Sequence, residues 1–174
     1  MKRMYPHHIF VFLSAPIIED GAGSLVAALR AAHFETLCQQ YGLNSGGIEE
    51  VLTHLEVVGN PASDERPFFL VKYGLKLHQT LVIERWDTAE QDGKALLEAF
   101  KARADEIATQ KNLEETVRIL SIALSQAQLL DTGRLLAYEV ARWAGFHGKG
   151  MVRGLDGVWY SLNQHQAFMP ITNS

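Results

Sequence analysis

The sequence predicts an α+β fold, in which about three helices pack on a single mixed or mainly antiparallel sheet. Two segments, 9–13 and 116–125, are apolar on both alternating faces, as expected of central strands that are covered on both sides. Between such segments, apolar residues recur at helical spacing. Near the C-terminus, Asp156-Gly157 separates two short apolar segments and favours the positive φ angles of a tight hairpin.

Length and composition indicate one folded unit. The 174 residues are enough for a single domain with a sizeable core. We expect this core over residues 7–162, followed by a surface tail over residues 163–174. Hydrophobic residues make up 47% of the chain and charged residues 21%, which argues against a disordered protein.

The N-terminal third is expected to form a strand, a helix and a second strand. Pro16 ends the first strand, and Asp20 is placed to cap a helix by accepting hydrogen bonds from its free N–H groups. Helical spacing continues this helix to about Tyr41, where Gly42 supplies a stop. Residues 51–57 then place apolar side chains on alternate positions, which predicts a strand.

Residues 68–85 have the pattern of two further strands. Residues 68–73 form the first, and Gly74 interrupts it, which favours a hairpin or a bulge. From residue 75 to residue 85, apolar and polar residues alternate, so we expect a strand with one buried and one wet face. The predicted buried face consists of Leu75, Leu77, Leu81 and Ile83.

Two more capped helices are predicted in the second half. Asp87 is placed to cap a helix that runs to about Asn112, and Asp131 is placed to cap one that ends near Ala144. The hairpin around Asp156-Gly157 follows. Each half thus contains a doubly apolar strand, a helix and extended segments with a hairpin, a pattern compatible with a βαββ pseudo-repeat.

Charge and cysteine content indicate which partners to expect. The formal net charge is −4 and the pI is near 6.0, so there is no electrostatic reason to expect a nucleic acid partner. The single cysteine, Cys38, cannot form an internal disulfide, which fits a reducing, cytoplasmic environment.

No membrane partner is expected either. The apolar run near the N-terminus is interrupted by Pro16 and followed by Glu19 and Asp20. We therefore interpret residues 1–18 as containing a first core strand rather than a signal segment. No stretch of the sequence approaches the ~18 apolar residues of a membrane span.

Common catalytic and cofactor motifs are missing from the sequence. There is no HExxH motif and no pair of histidines four residues apart, so no metal is predicted. The run Gly21-Ala22-Gly23-Ser24 lacks the nucleotide-binding glycine patterns, and Glu19 and Asp20 would repel an anion there. No GxSxG elbow is present, and Cys38 lies inside a predicted helix. No cofactor is predicted.

The segment 142–150 is the candidate site for an enzymatic or ligand-binding function. A predicted helix ends there in a glycine-rich turn that carries Arg142, His147 and Lys149. Histidine titrates near neutral pH, and glycines permit close approach of a substrate, so these three residues are the candidate acid–base or anion-binding groups. The alternative is that the three cations only complement the negative end of the helix dipole.

Aromatic residues provide the other candidate binding site. Trp159 and Tyr160, together with His147, are predicted to bind a partner, although one of two adjacent strand residues must point into the core. The sequence therefore favours a small non-catalytic binding module that acts on a protein partner, of the inhibitor, immunity or adaptor type. The alternatives are a small enzyme or a small-ligand sensor with its site near the 142–150 turn.

Overall fold

The computed structural model describes residues 7–17, 21–41, 47–61, 68–104 and 107–171. The strands of these residues are β1 (His7–Leu13), β2 (Glu56–Val58), β3 (Phe68–Lys72), β4 (Thr80–Asp87), β5 (Arg118–Leu124), β6 (Met151–Arg153), β7 (Trp159–Leu162) and β8 (Phe168–Pro170). They form one sheet in the order β2-β3-β4-β5-β1-β6-β7-β8. Every neighbouring pair is antiparallel, so the predicted α+β fold is confirmed.

The helices are more numerous than the sequence pattern indicates. The described residues contain α1 (Gly21–Ala31), α2 (Phe34–Tyr41), α3 (Ile48–His54), α4 (Gln91–Lys101), α5 (Ile107–Glu114), α6 (Gln126–Leu129) and α7 (Gly133–His147). Two of the predicted long helices are each divided in two. The two extra helices, α3 and α6, lie in segments for which no helix was predicted.

The division between α1 and α2 follows from the phase of their apolar residues. Leu25 and Leu29 are four residues apart, and so are Phe34 and Cys38, but the two pairs are separated by five residues. In a continuous helix the second pair, nine residues further along, would lie about 180° around the axis from the first. Both pairs are buried in the same core, so the helix breaks and α2 takes a new direction.

The predicted strand over residues 51–57 is wrong in its first half. Residues 48–54 form α3, and only residues 56–58 are extended. Val51 and Leu55 are buried four residues apart, a spacing that suits a helix as well as a strand. Glu49 and Glu50 lie in the first turn of α3, where carboxylates favour a helix N-terminus.

The predicted strand over residues 75–85 begins too early. Lys72 pairs with Thr80, so residues 73–79 form the connection between β3 and β4. Within the predicted buried face, Leu81 and Ile83 are buried, but Leu75 and Leu77 are exposed to solvent. The reason is the pairing register. The ladder between β3 and β4 ends at the pair of Lys72 and Thr80, so Leu75 and Leu77 lie outside it.

The helix predicted to start at Asp87 starts instead at Gln91, and the predicted cap is wrong. Asp87 is the last residue of β4, and its Oδ1 accepts a hydrogen bond of 2.6 Å from Arg118 Nε on β5. Its carboxylate is thus engaged across the sheet and is not used to cap a helix. Glu90 takes the N-cap position without a side-chain hydrogen bond.

The two faces of the sheet carry separate cores. Ile9, Val11 and Leu13 on β1 pack into the larger core, which includes buried residues of α1, α2, α3 and α7. Phe12, between them, packs into the smaller core beneath α4 and α5. The alternation confirms the prediction that this strand is covered on both faces. β5 pairs with β1 in the middle of the sheet and is likewise buried on both faces.

The C-terminal region contains the predicted hairpin and one unpredicted strand. β6 pairs with β7, and Gly157 in the connecting turn has a φ of 76°, as the Asp-Gly dipeptide predicts. α7 continues to His147, three residues beyond its predicted end. Residues 168–170, expected to belong to a surface tail, instead pair with β7 as the edge strand β8.

The two halves contain the same kinds of elements, but their meanders cross the sheet in different ways. Each contains a strand, a helical crossover and a three-stranded meander. In the first half the meander runs from the sheet edge at β2 inward to β4. In the second half it runs from β6 outward to the edge at β8. The strand order therefore differs from that of a simple repeat.

Candidate functional site

The three candidate residues of the 142–150 segment lie in different surroundings. Arg142 lines a cleft of about 380 Å³, and Lys149 lines a separate cleft of about 390 Å³. His147 lines neither cleft, and its ring lies 5.3 Å from that of Trp143 and 5.4 Å from that of Phe146. The structure therefore does not bring Arg142, His147 and Lys149 to one cavity.

The glycine-rich turn after α7 packs closely against the end of β1. Ser14 Oγ donates a hydrogen bond of 2.6 Å to the Lys149 carbonyl, and the backbone N–H of Ser14 donates to the Gly148 carbonyl at 3.0 Å. A Cβ on Gly150 would overlap the carbonyl of Phe12. Close packing of two backbones thus explains Gly150, which the sequence had associated with the approach of a ligand.

The two candidate binding aromatics lie on opposite faces of β7. Trp159 is only 8% exposed, and its ring centroid lies 5.1 Å from that of Phe12 in the smaller core. Tyr160 is half-buried on the other face, where its hydroxyl donates a hydrogen bond of 2.7 Å to Asp156 Oδ2. Trp159 is therefore the residue of this pair that points into the core.

The most exposed large apolar side chains of the described residues lie at one end of the sheet. Leu77 is 100% exposed, Leu75 is 86% exposed and Leu130 is 75% exposed. Leu75 and Leu77 lie in the connection between β3 and β4, and Leu130 lies between α6 and α7. Leu75 and Leu130 line the same cleft of about 470 Å³. We call these three side chains the leucine end.

The connection that carries Leu75 and Leu77 is held by its own hydrogen bonds. The Tyr73 N–H donates to the Gln79 carbonyl and the Gln79 N–H donates to the Lys76 carbonyl, both at 2.9 Å. Gln79 Oε1 accepts a further bond of 3.1 Å from the Lys76 N–H. Both ends of the connection are therefore fixed while its leucines remain in water.

A buried glutamine on α6 fastens the same connection to the rest of the fold. Gln128 is 4% exposed, and its Nε2 donates to the carbonyls of His78 and Thr80 at 2.7 and 2.8 Å. Its own position is determined by a capping box, in which Gln128 N–H donates to Ser125 Oγ and Ser125 N–H donates to Gln128 Oε1.

Asp131 joins the leucine end to the start of α7. The fully buried Tyr73 has its hydroxyl 3.1 Å from both carboxylate oxygens of Asp131, and the Gly133 N–H donates to Asp131 Oδ1 at 2.7 Å. His78 Nε2 lies 3.7 Å from Asp131 Oδ2. Burial raises the pKa of Asp131 above its ordinary value, although its hydrogen bonds with Gly133 and Tyr73 oppose that rise.

The leucine end adjoins a part of the sheet that α4 and α5 do not cover. Leu70, Val82, Ala123 and His8 form a row across β3, β4, β5 and β1 on the side of the smaller core. This row lies in a groove of about 650 Å³, and Leu77 stands at its rim. Burial lowers the pKa of His8, while the charge of Glu84 opposes that shift.

The sequence offers little that would have revealed the leucine end. Leu75 and Leu77 continue the alternation of Leu81 and Ile83. From residue 74 to residue 83, only Gly74 disfavours a strand. Nothing local distinguishes the two exposed leucines from the two buried residues. Their exposure depends on the pairing of Lys72 with Thr80, which is a long-range property of the sheet.

Comparisons of the chain with protein-family models, with curated proteins and with solved structures find no significant match. In the residues that the structure describes, no helix is both long enough and apolar enough to cross a membrane. Within the same residues, no cluster of three or more His, Cys, Asp or Glu side chains is arranged to hold a metal ion. The geometry of the described surfaces is therefore the evidence for function.

Proposed function

We propose that this protein is a small non-catalytic binding module whose protein partner docks on the leucine end. The observation that carries the proposal is the near-complete exposure of Leu75, Leu77 and Leu130 on one end of the sheet. Single exposed leucines are common on protein surfaces, but a group of them exposes an apolar patch to water. Such patches typically mark interaction sites, because burying them in a complex is favourable.

The hydrogen bonds that hold the surrounding backbone in place support this proposal. An apolar loop that is loosely held can fold back and cover itself, which would relieve its exposure. Here Gln79 and Gln128 hold the connection through its backbone, and Asp131 fastens its base through Tyr73. The leucines are thus presented in fixed positions, and a preorganised surface loses little conformational entropy when it binds.

Charge at the leucine end favours a basic partner. The cleft between Leu75 and Leu130 is lined by the carboxylates of Glu50 and Asp131 and by one ammonium group, that of Lys76. The whole chain carries a formal net charge of −4. We therefore propose a partner surface that has an apolar pocket for the leucines and basic side chains around it.

The distribution of the candidate acid–base residues favours binding over catalysis. General acid–base catalysis requires groups that reach one substrate together. Arg142 and Lys149 line different clefts, and His147 lines neither of them. An inhibitor, an immunity protein or an adaptor needs no such convergence, since its effect comes from the surface that it covers.

Photo-crosslinking in cells tests the proposal directly. A benzophenone amino acid is placed at position 77 of the full chain. In a second variant it is placed at position 169, on the edge strand β8. Met169 is a matched control because it is also apolar and is 48% exposed. We expect one protein to be crosslinked from position 77 and not from position 169, and mass spectrometry then identifies it.

The purified partner then allows a quantitative measurement. The double variant Leu75→Ser/Leu77→Ser should bind it at least about tenfold more weakly, as expected for central apolar anchors, while Met169→Ser should leave the affinity unchanged. The association rate should fall as salt is added, because salt screens the attraction between an acidic and a basic surface.

Four results would overturn the proposal. One is equal crosslinking from positions 77 and 169, and another is unchanged affinity in the double serine variant. The third is a crosslinked product made only of two copies of this chain, which would make the leucine end a dimer contact. Cosedimentation with phosphatidylcholine vesicles, lost in the serine variant, would instead assign the leucines to a lipid surface and would also contradict the proposal.

A further inference from the structure

A second concave surface lies away from the leucine end, between α7, the corner of α1 and α2, and the connection of β7 to β8. It encloses about 380 Å³, which is within the range of small-molecule sites, ~300–1,000 Å³. We call it the Glu139 cleft. Its lining includes Ala32, His33, Leu37, Glu139, Arg142, Trp143 and His165.

Glu139 is the most unusual residue of this cleft. It is 9% exposed, and its Oε1 lies 3.2 Å from Arg142 Nη2. Neither Glu139 Oε1 nor Arg142 Nε has a hydrogen-bond partner among the residues that the structure describes. A buried polar group without such a bond is unfavourable, and more so when it is charged. Both atoms are enclosed by protein, so a ligand would meet the remaining surface of the two groups, of which 10% of the Glu139 side chain and 29% of the Arg142 side chain are exposed.

Arg142 is held in place on one side and open on the other. Its guanidinium carbon lies 5.1 Å from the centroid of the Phe168 ring, and its contact with Glu139 restrains it further. The Arg142 side chain is nevertheless 29% exposed, so its outer edge is accessible from the cleft. A guanidinium group fixed in this way is well suited to bind a carboxylate.

Two exposed histidines from different parts of the chain lie at the rim of the cleft. His33 lies at the break between α1 and α2, and His165 lies in the connection of β7 to β8. Asn163 Oδ1 accepts hydrogen bonds from the N–H groups of His165 and Ala167, at 2.8 and 3.0 Å, and so shapes this connection. Gln166, beside His165, has a φ of 61°, an uncommon angle for a residue other than glycine.

The remaining wall of the cleft is apolar. Ala32 and Leu37 line it from the side of α1 and α2, and Trp143 lines it from α7. Trp143 Nε1 donates a hydrogen bond of 3.0 Å to Ser24 Oγ, so the polar atom of its ring is already satisfied. The indole and the aliphatic side chains can therefore receive an apolar group of a ligand.

From this arrangement we infer that the Glu139 cleft binds a free aliphatic α-amino acid. The ammonium group of such a ligand would lie against Glu139. Its carboxylate would lie against Arg142 and the rim histidines, and its side chain against Leu37 and Trp143. A zwitterion is favoured because Glu139 and Arg142 form a pair of opposite charges, so a ligand of a single charge would be attracted by one group and repelled by the other.

The titration of Glu139 agrees with the geometry. Burial raises the pKa of Glu139 above its ordinary value, and the positive charge of Arg142 only partly opposes that shift. An ammonium group close to the carboxylate would favour its ionised form, as a nearby opposite charge does. The inference does not rest on the proposed protein partner, whose docking surface involves other residues.

Three matched ligands test the inference on the unmodified full chain. L-leucine carries both charges, 4-methylpentanoate lacks the ammonium group, and 3-methylbutylamine lacks the carboxylate. Titration calorimetry and amide NMR shifts should show binding of L-leucine, with either truncated ligand at least about tenfold weaker. The shifted amides should belong to α7 and to the connection of β7 to β8.

Two variants test which residue binds the ammonium group of the ligand and which binds its carboxylate. Glu139→Gln keeps the size of the side chain, and it should abolish the preference for L-leucine over 4-methylpentanoate. Arg142→Gln should abolish the preference over 3-methylbutylamine. Glu56→Gln, on an exposed position of the edge strand β2, is the control and should keep both preferences. Circular dichroism verifies that each variant is folded.

The inference is overturned if L-leucine produces neither heat nor amide shifts at millimolar concentrations. It is also overturned if either truncated ligand binds as tightly as L-leucine, or if folded Glu139→Gln retains the full preference for the amino acid. Loss of binding to the protein partner in the leucine-end variants, with amino-acid binding intact, would show that the two surfaces act independently.

Discussion

The leucine end and the Glu139 cleft depart from ordinary protein anatomy in opposite ways. At the leucine end, the backbone is well hydrogen-bonded, but large apolar side chains remain in water. In the cleft, apolar side chains form one wall, but a carboxylate oxygen is buried without a hydrogen bond from any described residue. One region lacks an apolar partner and the other lacks a polar one.

The difference shows what each region needs from outside the chain. Local violations of the rules that stabilise a fold are expected at functional sites, because selection there acts on binding as well as on stability. The exposed leucines would be covered by a broad apolar surface, whereas the accessible parts of Glu139 and Arg142 suit a small zwitterion. Four changes test whether the two regions differ in this way, and the first has the largest expected effect.

Two leucines of one alternating run provide the strongest test. Leu81 is 0% exposed and Leu77 is 100% exposed, although they are four residues apart. Leu81→Ala should lower the free energy of unfolding by about 2–5 kcal/mol, because it leaves a cavity in the core. Leu77→Ala should change it by no more than about 0.5 kcal/mol. Urea denaturation measures both, and equal losses would mean that Leu77 is buried in solution.

The attachment of the leucine end is tested at Asp131. Asp131→Ala removes the acceptor of the Gly133 N–H and leaves the buried Tyr73 hydroxyl without its carboxylate partner. We expect a loss of about 1–3 kcal/mol in the free energy of unfolding, the usual cost of leaving a buried polar group without its partner. Asp131→Asn keeps an oxygen acceptor and should lose less. If the alanine and asparagine variants are equally stable, Asp131 does not anchor this region.

A smaller and pH-dependent effect is expected at Glu139, because glutamine retains the volume of the side chain. Burial raises the pKa of Glu139 in the folded state above the ordinary value of 4.5. Its contribution to stability is therefore fully present below pH 4.5 and is lost as the pH rises through the raised pKa. Relative to the wild type, Glu139→Gln should gain stability as the pH rises through this window.

Unfolding experiments at a series of pH values measure this dependence. The control variant Glu56→Gln changes a carboxylate that is exposed on β2, and it should follow the pH dependence of the wild type. A Glu139→Gln curve that runs parallel to the wild-type curve at all pH values would contradict the burial of this carboxylate.

The smallest effect is expected on the rim of the Glu139 cleft. Gln166 has a φ of 61°, so Gln166→Gly should relieve backbone strain and raise the free energy of unfolding by up to about 1 kcal/mol. Gln164→Gly is the matched control in the same connection, where φ is not positive, and it should lower stability by roughly 0.5–1 kcal/mol. Changes of the same sign in both variants would argue against a strained rim.

Much of the scaffold was predictable because its signals are local. The doubly apolar patterns around Val11 and Ile122 correctly predict two central strands, which the structure places side by side. Asp156-Gly157 correctly predicts the hairpin, because its turn requires a positive φ that glycine adopts freely. These features depend on residues within a few positions of one another, so the chain alone specifies them.

The errors arose where two structures suit the same short pattern. Val51 and Leu55 fit either a strand or a helix, and the helix forms because both side chains reach the core from one side of α3. Residues 168–170 contain no strong strand pattern, yet they become β8 because β7 offers an unpaired edge. Asp87 has the chemistry of a helix cap, but Arg118 on the neighbouring strand binds its carboxylate instead.

The candidate sites were less predictable than the scaffold. Arg142 was identified from the sequence, but its position over Phe168 and beside Glu139 in a cleft was not. Glu139 itself had no distinguishing signal, since a glutamate within an amphipathic helix normally lies in water. The cleft requires α1, α7 and the β7–β8 connection to meet, and these elements are far apart in the chain.

By itself, the sequence determined the α+β class, the two central strands, α7 and the hairpin, because periodicity and turn chemistry act over short distances. Only the tertiary structure decided which leucines of one alternating run are buried, since the register of Lys72 with Thr80 selects them. It likewise decided that Glu139 is enclosed beside Arg142, because burial depends on elements that pack from distant parts of the chain.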